Sequence, residues 1–159
     1  MVYLDTSALA KWYLDEPRSE DFSRWIQEED EVWISSLTMV EKRCLLARRR
    51  RAGEISADNE QLAFATFRED VDRVYLFLEP IEDRTVHAAL GLIERLPDHP
   101  LRTLDAIHMS VARNLQVVRL ATADGVMAEA ARALGLEVDW FGEPREPASG
   151  TTAPGTPGS

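Results

Sequence analysis

Four acidic residues of this chain stand where a strand-like apolar run meets a helix-like segment: Asp5, Glu41, Asp105 and Asp124. In a parallel sheet, the carboxyl ends of the strands and the starts of nearby helices open onto one crevice. The four carboxylates are therefore expected to converge there. Two such charges ~5 Å apart repel by roughly 3 kcal/mol at an effective dielectric constant of about 20. A cluster of this kind needs protons or a cation, and a hard divalent metal such as Mg²⁺ or Mn²⁺ is the natural choice.

The aspartates also have a structural interpretation, because Asp is favoured at helix N-termini as a cap or as a partner of the helix dipole. Hydroxyl groups are available to cap the helices instead. Thr6 and Ser7 directly follow Asp5, and Thr103 precedes Asp105 by two residues. We therefore predict that these carboxylates serve a site rather than a cap.

Glu41 has a specific alternative, because Thr38 stands three residues before it and the pair matches a capping box. Its neighbours at helical spacing include no basic residue, so an ion pair along the helix is unavailable. They are Leu37, Thr38, Cys44 and Leu45. A glutamate in this setting is expected at the edge of a cleft, as a ligand.

The elements that must position these acids alternate regularly along the chain. Apolar runs predict strands at residues 2–5, 32–34, 74–78, 117–121 and 137–140. Periodicity and turn residues predict helices at residues 6–14, 19–29, 38–51, 57–72, 83–96, 103–115 and 125–134. In the helix over 83–96, Val86, Leu90 and Ile93 recur at the spacing of an apolar helix face.

Strands that alternate with helices imply crossover connections and a parallel sheet covered on both faces. The predicted fold is an α/β protein, a three-layer α/β/α sandwich with a five-stranded parallel sheet, formed by one domain over residues 1–141. Residues 142–159 are rich in Pro, Gly, Ser and Thr and contain no large apolar side chain, so we predict a disordered tail.

Composition bounds the class of protein. The chain has 159 residues and a formal net charge of −10, which argues against an extended nucleic-acid surface but leaves room for a local one. The densest basic cluster is the run Arg48–Arg51. It is either a solvated helix end or a contact for phosphate or a partner protein.

Cys44 is the only cysteine, so no intrachain disulfide can form, and a reducing cytoplasmic location is the default. We predict that Cys44 is a buried, apolar filler. No apolar run approaches the length of a membrane helix, and the N-terminus has no signal-peptide pattern, so no membrane association is expected. His108, one helical turn after Asp105, is predicted to pack inside the protein near the cleft.

Four segments resemble the successive acidic motifs of the PIN-domain superfamily, in particular the VapC-type ribonuclease toxins of toxin–antitoxin pairs. They are VYLDTSALAKWYLDEP, ISSLTMVEKRCLLAR, LRTLDAIHMSVA and TADGVMAEAARALGLEV. The resemblance spans residues 1–141. It implies a sheet order of 3-2-1-4-5, and a metal-binding and catalytic set of Asp5, Glu41, Asp105 and Asp124. Thr6 matches a hydroxyl that orients the first Asp, whereas Gly125 departs from the bulky or basic residue that often follows the last one.

The resemblance implies a Mg²⁺-dependent endoribonuclease, with Mn²⁺ as a possible substitute, that cleaves RNA by a metal-activated water. Arg43 and Arg102 are candidate phosphate contacts. A cognate antitoxin and a homodimer are the implied partners. Apolar contact surface for either partner could come from four aromatic residues, unless these pack in the core: Trp12, Tyr13, Trp25 and Phe67.

Three other functions stay open. One is a non-catalytic PIN fold that binds RNA or protein, and another is an RNA-processing PIN nuclease outside a toxin–antitoxin pair. The third is a receiver-like signalling domain, which also gathers acids around Mg²⁺. That domain requires a lysine after its last core strands, and the only lysines here are Lys11 and Lys42. A receiver-like domain is therefore disfavoured.

Overall fold

Five strands and seven helices alternate within residues 1–143, the part of the chain that this computed structural model describes. The strands are β1 (Val2–Leu4), β2 (Val32–Ser35), β3 (Phe77–Glu79), β4 (Arg119–Thr122) and β5 (Glu137–Trp140). The helices are α1 (Thr6–Tyr13), α2 (Ser19–Gln27), α3 (Ser36–Arg51), α4 (Ala57–Asp72), α5 (Asp83–Arg95), α6 (Thr103–Asn114) and α7 (Gly125–Ala133). The predicted tail over 142–159 lies outside the described residues from 144 onward, so the tail and the domain boundary stay predictions.

The strands form one sheet in the order β3-β2-β1-β4-β5, and every neighbouring pair is parallel. The predicted order 3-2-1-4-5 is confirmed. At the centre, Val2 of β1 is paired with Val32 of β2, and Leu4 is paired with Ala121 of β4. Because the strands are parallel, the segments that follow β1, β2 and β4 all leave the sheet at the same edge.

Helices cover both faces of the sheet, as the predicted three-layer architecture requires. Successive side chains of a strand point to opposite faces. Leu4 belongs to a core cluster with Phe22 of α2 and Phe67 of α4, whereas Tyr3 belongs to a second cluster with Met109 of α6 and others. The two clusters are the two interfaces between the sheet and its helical layers.

The prediction for β3 is wrong at its start, because the strand begins at Phe77 rather than at residue 74. The chain first has to leave α4. Val74 does so with a φ of 61°, and the Tyr75 amide then donates a hydrogen bond to the carbonyl of Asp70. This left-handed turn is incompatible with a strand and is unusual for a β-branched residue.

The apolar stripe predicted on α5 faces solvent rather than the core. Val86, Leu90 and Ile93 are 44%, 60% and 44% exposed. The buried face carries smaller or differently spaced residues, including Ala89 and Leu92. A helix can present two apolar stripes, and periodicity does not say which of them meets the sheet.

The prediction for Cys44 is also wrong, since its side chain is exposed. The buried residues of α3 are Thr38, Lys42 and Leu46, spaced four residues apart. Cys44 lies between the last two on the opposite side of the helix, so its apolar sequence neighbours did not indicate burial.

The four aromatic residues considered as contact surface all contact the first core cluster, but they are buried to different extents. Phe67 is fully buried, and Trp12, Tyr13 and Trp25 pack against the first core cluster. Phe67 therefore offers no contact surface for a partner, whereas Trp12, Tyr13 and Trp25 are only partly buried and keep some surface exposed. Within residues 1–143, no helix is both long and apolar enough to cross a membrane.

Candidate active site

Two of the four predicted acids lie at the starts of helices that directly follow adjacent central strands. Asp5 follows β1 and is the N-cap of α1, and Asp124 follows β4 and is the N-cap of α7. Since Leu4 is paired with Ala121, the two carboxylates lie at the same edge of the sheet although 119 positions separate them in sequence. The parallel topology thus brings the first and last acids together.

Hydroxyl groups hold one oxygen of Asp5 in place. Its Oδ2 atom accepts hydrogen bonds from the Ser7 hydroxyl at 2.5 Å, from the Ser7 amide at 3.3 Å and from the Thr122 hydroxyl at 2.9 Å. The Ser7 hydroxyl also accepts from the amide of Ala123 at 2.9 Å. Asp5 is 5% exposed, and this network fixes its side chain between β1 and β4.

The same network corrects the role predicted for Thr6. Its hydroxyl donates at 2.5 Å to Glu41 Oε2, whereas Ser7 supplies the hydroxyl that orients Asp5. Thr6 therefore connects α1 to α3. The capping-box alternative for Glu41 is not realised, because the N-cap of α3 is Ser35.

His108 supports Glu41 from α6. The Nε2 atom of His108 lies 2.7 Å from Glu41 Oε2, and its Nδ1 atom lies 2.6 Å from the hydroxyl of Tyr3. Burial by itself would raise the pKa of Glu41, but the hydrogen bonds from His108 and Thr6 and the charge of His108 outweigh it and lower that pKa. Glu41 is thus held as a carboxylate.

His108 is 1% exposed, which confirms that it packs inside the protein. Burial opposes its positive charge, yet its pKa is raised because Glu41, Asp5 and Asp105 favour the protonated ring. Its Nε2 atom is also 4.0 Å from Asp5 Oδ1. His108 is therefore an interior part of the acidic site as well as a packing residue.

Asp105 lies in the first turn of α6, where its Oδ2 atom accepts a 2.9 Å hydrogen bond from the amide of Arg102. The helix N-cap is Arg102, not the Thr103 that the sequence suggested. Burial is the main cause of a raised pKa for Asp105, and the nearby charges of Asp124 and Asp5 raise it further against the opposing influence of Arg102. Asp105 is therefore close enough to both aspartates to interact with their charges.

Asp124 Oδ1 accepts hydrogen bonds from the amides of Val126 at 2.8 Å and Met127 at 3.1 Å. The capping interpretation of Asp124 is thus correct as far as one oxygen is concerned. Asp5 likewise caps its helix through the Ser7 amide. Capping and site formation are compatible here, because each carboxylate has a second oxygen.

One pattern is common to the four acids: protein donors anchor one oxygen, and the other accepts no hydrogen bond from residues 1–143. The anchored atoms are Asp5 Oδ2, Glu41 Oε2, Asp105 Oδ2 and Asp124 Oδ1. Free carboxylate oxygens are the hard donors that Mg²⁺ and Mn²⁺ take. The donor chemistry of the site therefore fits such a metal.

The side chains that carry these donors are too far apart to form a closed metal site. As placed in residues 1–143, no three Asp, Glu, His or Cys side chains are close enough together to hold a metal ion. Ligation by three of the acids thus requires side-chain rotation that brings free oxygens together. The hydrogen bonds to the anchored oxygens limit the range over which each carboxylate can rotate.

The two predicted arginines differ in position. Arg102 is next to Asp105 and affects its pKa. Arg43 instead forms a 2.5 Å ion pair with Glu60 of α4, and its guanidinium lies 5.4 Å from the ring centre of Phe64. The structure therefore brings Arg102 to the site and holds Arg43 in the contact between α3 and α4.

Ser7 and Thr122 were not predicted as site residues, and His108 was predicted to pack inside the protein near the cleft. A signal for the first two was present, because each hydroxyl lies two residues from a predicted ligand, in D-T-S and in T-A-D. The contact from Thr122 to Asp5 depends on the pairing of β1 with β4. That contact could not be read from local sequence.

The fold agrees with comparisons to known proteins. The PIN domain family model matches residues 2–133. Among curated proteins, ribonuclease VapC46 of Mycobacterium tuberculosis is 34% identical over 140 residues, which covers 86% of this chain and 95% of that protein. Ribonuclease VapC35 of the same species is 34% identical over 152 residues, which covers 91% of this chain and all of that protein. The chain belongs to the PIN domain family, in its VapC group.

Solved structures show the same fold at lower sequence identity. The crystal structure of M. tuberculosis VapC20, described as a sarcin-ricin loop cleaving toxin, has a TM-score of 0.65 and 21% identity and covers 82% of this chain and 95% of that one. A structure of FitAB bound to an IR36 DNA fragment has a TM-score of 0.67 and 16% identity, with 88% and 94% of the two chains covered. VapBC2 of Rickettsia felis, bound to a promoter DNA fragment, has a TM-score of 0.63 at 14% identity and covers 89% and 99%.

Proposed function

We propose that this protein is a divalent-metal-dependent endoribonuclease and the toxin component of a VapBC-type toxin–antitoxin pair. The observation that supports the proposal is the position of four carboxylates around one edge of a parallel sheet, each with one anchored oxygen and one that accepts no hydrogen bond from residues 1–143. The 34% identity to proteins named as ribonucleases supports the choice of RNA as the substrate.

In this proposal Asp5 and Asp105 are direct metal ligands, and Glu41 and Asp124 hold a second ion or orient the attacking water. A bound Mg²⁺ would activate that water and neutralise charge that develops on the phosphate and the leaving 3′ oxygen. Attack by water at phosphorus gives 5′-phosphate and 3′-hydroxyl products.

The protein side chains supply order and charge. Ser7 and Thr122 restrict the rotation of the Asp5 carboxylate, so less conformational freedom is lost when a ligand binds. His108 and Thr6 do the same for Glu41 and favour its ionised form. Arg102, beside Asp105, is the candidate contact for a substrate phosphate.

Substitution of Asp5 by Asn tests the proposal. The change preserves the shape of the side chain and removes its charge, and we expect RNA cleavage in the presence of Mg²⁺ to fall by at least about 100-fold. Asp15→Asn is the matched control. Asp15 is exposed, so this substitution removes the same charge from a surface position. Equal cleavage by the parent and by Asp5→Asn would refute the mechanism. Binding of RNA without cleavage under any metal would favour the non-catalytic PIN fold.

The antitoxin partner is part of the same proposal, and its support comes from relatives. Two structural neighbours are described as FitAB and VapBC2, each with a two-part name. We expect a short reading frame beside this gene to encode the inhibitor. Co-expression of both products, followed by purification through one of them and an RNA cleavage assay, tests this. A processing nuclease outside such a pair is favoured if no neighbouring product binds or inhibits it.

A homodimer is also proposed, and the exposed face of α5 supports it. Val86, Leu90 and Ile93 follow one side of this helix at spacings of four and three residues. Contiguous apolar side chains on a surface commonly mark an interface. In a two-fold dimer the same stripe of both copies would pack together.

A further inference from the structure

We propose that the groove between α5 and α6 binds the sugar–phosphate backbone of the RNA substrate. This inference rests on the proposed ribonuclease function and extends it to a second contact surface outside the acidic site. The groove has a volume of about 360 Å³, and its polar lining includes Arg95 of α5, Arg113 of α6 and His87 of α5.

The charge of this groove is the first argument. Arg95 and Arg113 are exposed, and neither forms an ion pair with an acidic side chain of residues 1–143. Most other arginines in that range do have an acidic partner. In a protein with a net charge of −10, two unpaired guanidinium groups on one groove form a local surface that an RNA phosphate can approach.

The shape of the groove is the second argument. Gly91 and Ala88 line it, and a Cβ atom added to Gly91 would meet no heavy atom within 4 Å. Small residues therefore leave the space between the arginines open. Its wall is fixed, because Ser110 and Asn114 of α6 both bond to Thr85 of α5. A preformed, open and basic groove suits an extended strand whose phosphates contact the walls.

The position relative to the acidic site is the third argument. Asp105 and Arg113 lie on the same helix, eight residues apart. At 1.5 Å per residue the separation along the axis of α6 is about 12 Å. A strand cleaved at the start of α6 would thus pass within reach of the groove, and α6 would connect catalysis to binding.

The run Arg48–Arg51 is a less suitable surface for RNA. Arg49 is paired with Glu16 and Glu54, and Arg50 is paired with Glu60. Half of the positive charge of that cluster is therefore already neutralised. Arg51, at the end of the run, has no acidic partner within residues 1–143 and is suited to a control.

A charge-reversal experiment tests the groove. RNA affinity is measured by fluorescence anisotropy in the non-cleaving Asp5→Asn background, with a labelled, mixed-sequence single-stranded RNA of about 20 nucleotides as the probe. Arg95→Glu/Arg113→Glu is expected to weaken binding by at least about fivefold and to reduce the slope of log K against log salt by about 1.4, the value for two lost phosphate contacts. Arg51→Glu/Arg68→Glu changes the net charge equally. Both arginines are exposed, on α3 and α4, and have no ion-pair partner among the described residues, so this pair should have a clearly smaller effect on both quantities.

Gly91→Met provides a second test without a change in charge. The added side chain has room on the helix and would fill the groove, so RNA affinity should fall while thermal stability is retained. The proposal is overturned if the groove variants bind RNA as tightly as the background protein, or if the control pair weakens binding as much. It is also overturned, in favour of a protein-docking groove, if the variants lose only the inhibitor from the neighbouring reading frame.

Cleavage assays on proteins that retain Asp5 separate this inference from the proposed function. If the parent cleaves RNA and the groove variants cleave and bind equally well, only the groove assignment fails. If the parent cleaves no RNA with any divalent metal, the ribonuclease proposal fails.

Discussion

The imidazole of His108 on α6 lies 2.7 Å from the carboxylate of Glu41 on α3 and, on its other side, 2.6 Å from the hydroxyl of Tyr3 on β1. The central strand β1 and the helices α3 and α6 are therefore joined through one buried ring. Metal-binding sites depend on such supporting contacts because they fix the orientation of the ligands.

Replacement of His108 by Ala is expected to affect both stability and activity. The buried hydroxyl of Tyr3 would lose its partner, at a cost of about 1–3 kcal/mol, and looser positioning of Glu41 should reduce cleavage by about 10–100-fold. Thermal unfolding and RNA cleavage are the measurements. His87→Ala, at an exposed position of α5, is the control for stability and should leave it nearly unchanged.

Ser7→Ala tests the anchoring of Asp5. The substitution removes the 2.5 Å hydrogen bond to Asp5 and the acceptor for the Ala123 amide, so we expect cleavage to fall by about tenfold or more. Thr66→Val removes an exposed hydroxyl from α4 and should have no effect. Unchanged activity of Ser7→Ala would show that the anchor is dispensable.

Removal of divalent metal tests the donor chemistry of the site. Chelation should abolish RNA cleavage, and added Mg²⁺ or Mn²⁺ should restore it. In calorimetric titrations, the parent should bind Mg²⁺, whereas Asp5→Asn and Asp105→Asn should bind it at least about tenfold more weakly, because each loses a charged oxygen ligand. Cleavage that persists in excess chelator contradicts a metal mechanism.

Leu90→Glu tests the exposed stripe of α5 as a dimer contact. A charge at the centre of the stripe should convert a dimer into a monomer in multi-angle light scattering, since an interface cannot bury it unpaired. Leu62→Glu on α4 is a matched control, because Leu62 is 66% exposed and Leu90 is 60% exposed. A parent protein that is monomeric at high concentration would remove the dimer proposal.

Lys42 gives a pH prediction that concerns stability alone. Its side chain is fully buried, its Nζ atom has no hydrogen-bond partner in residues 1–143, and it lies 4.5 Å from the ring centre of Tyr13. Burial lowers its pKa to about 7, against the opposing influence of Glu16. Between that value and about 10.5 the unfolded chain binds more protons than the folded one, so the contribution of Lys42 to stability rises with pH.

Lys42→Met should therefore be more stable than the parent below pH 7, by roughly 2–4 kcal/mol, with a difference that shrinks as pH approaches 10. Chemical denaturation of both proteins at pH 6 and at pH 9 measures this. Lys11→Met is a suitable control, since the Lys11 amine donates to the carbonyl of Pro17. A stability difference that does not depend on pH would contradict the prediction.

The order of the elements could be predicted from the sequence because strand and helix periodicities are local properties. The four acids could also be proposed as site residues, since each lies at or near a predicted element boundary. The hydroxyl assignments could not. Whether Thr6 or Ser7 reaches Asp5 depends on how α1 leaves β1, and the contact of Thr122 requires the pairing of β1 with β4.

Burial was the other quantity that local pattern did not determine. The stripe of Val86, Leu90 and Ile93 has the periodicity of a core face, yet the buried side of α5 carries Ala89 and Leu92. Cys44 is exposed for a related reason, because the side of α3 that faces the core carries Lys42 and Leu46. Long-range packing decides such cases, and one sequence contains no direct record of it.

The pairing of β1 with β4 has a consequence for synthesis of the protein. Asp5 is translated before the strand that supplies its Thr122 anchor and leads to Asp124, which comes more than a hundred residues later. Because chains are made from the N-terminus onward, a growing or prematurely terminated polypeptide lacks a complete acidic centre. A host cell would thus meet a competent nuclease only once nearly the whole domain had left the ribosome.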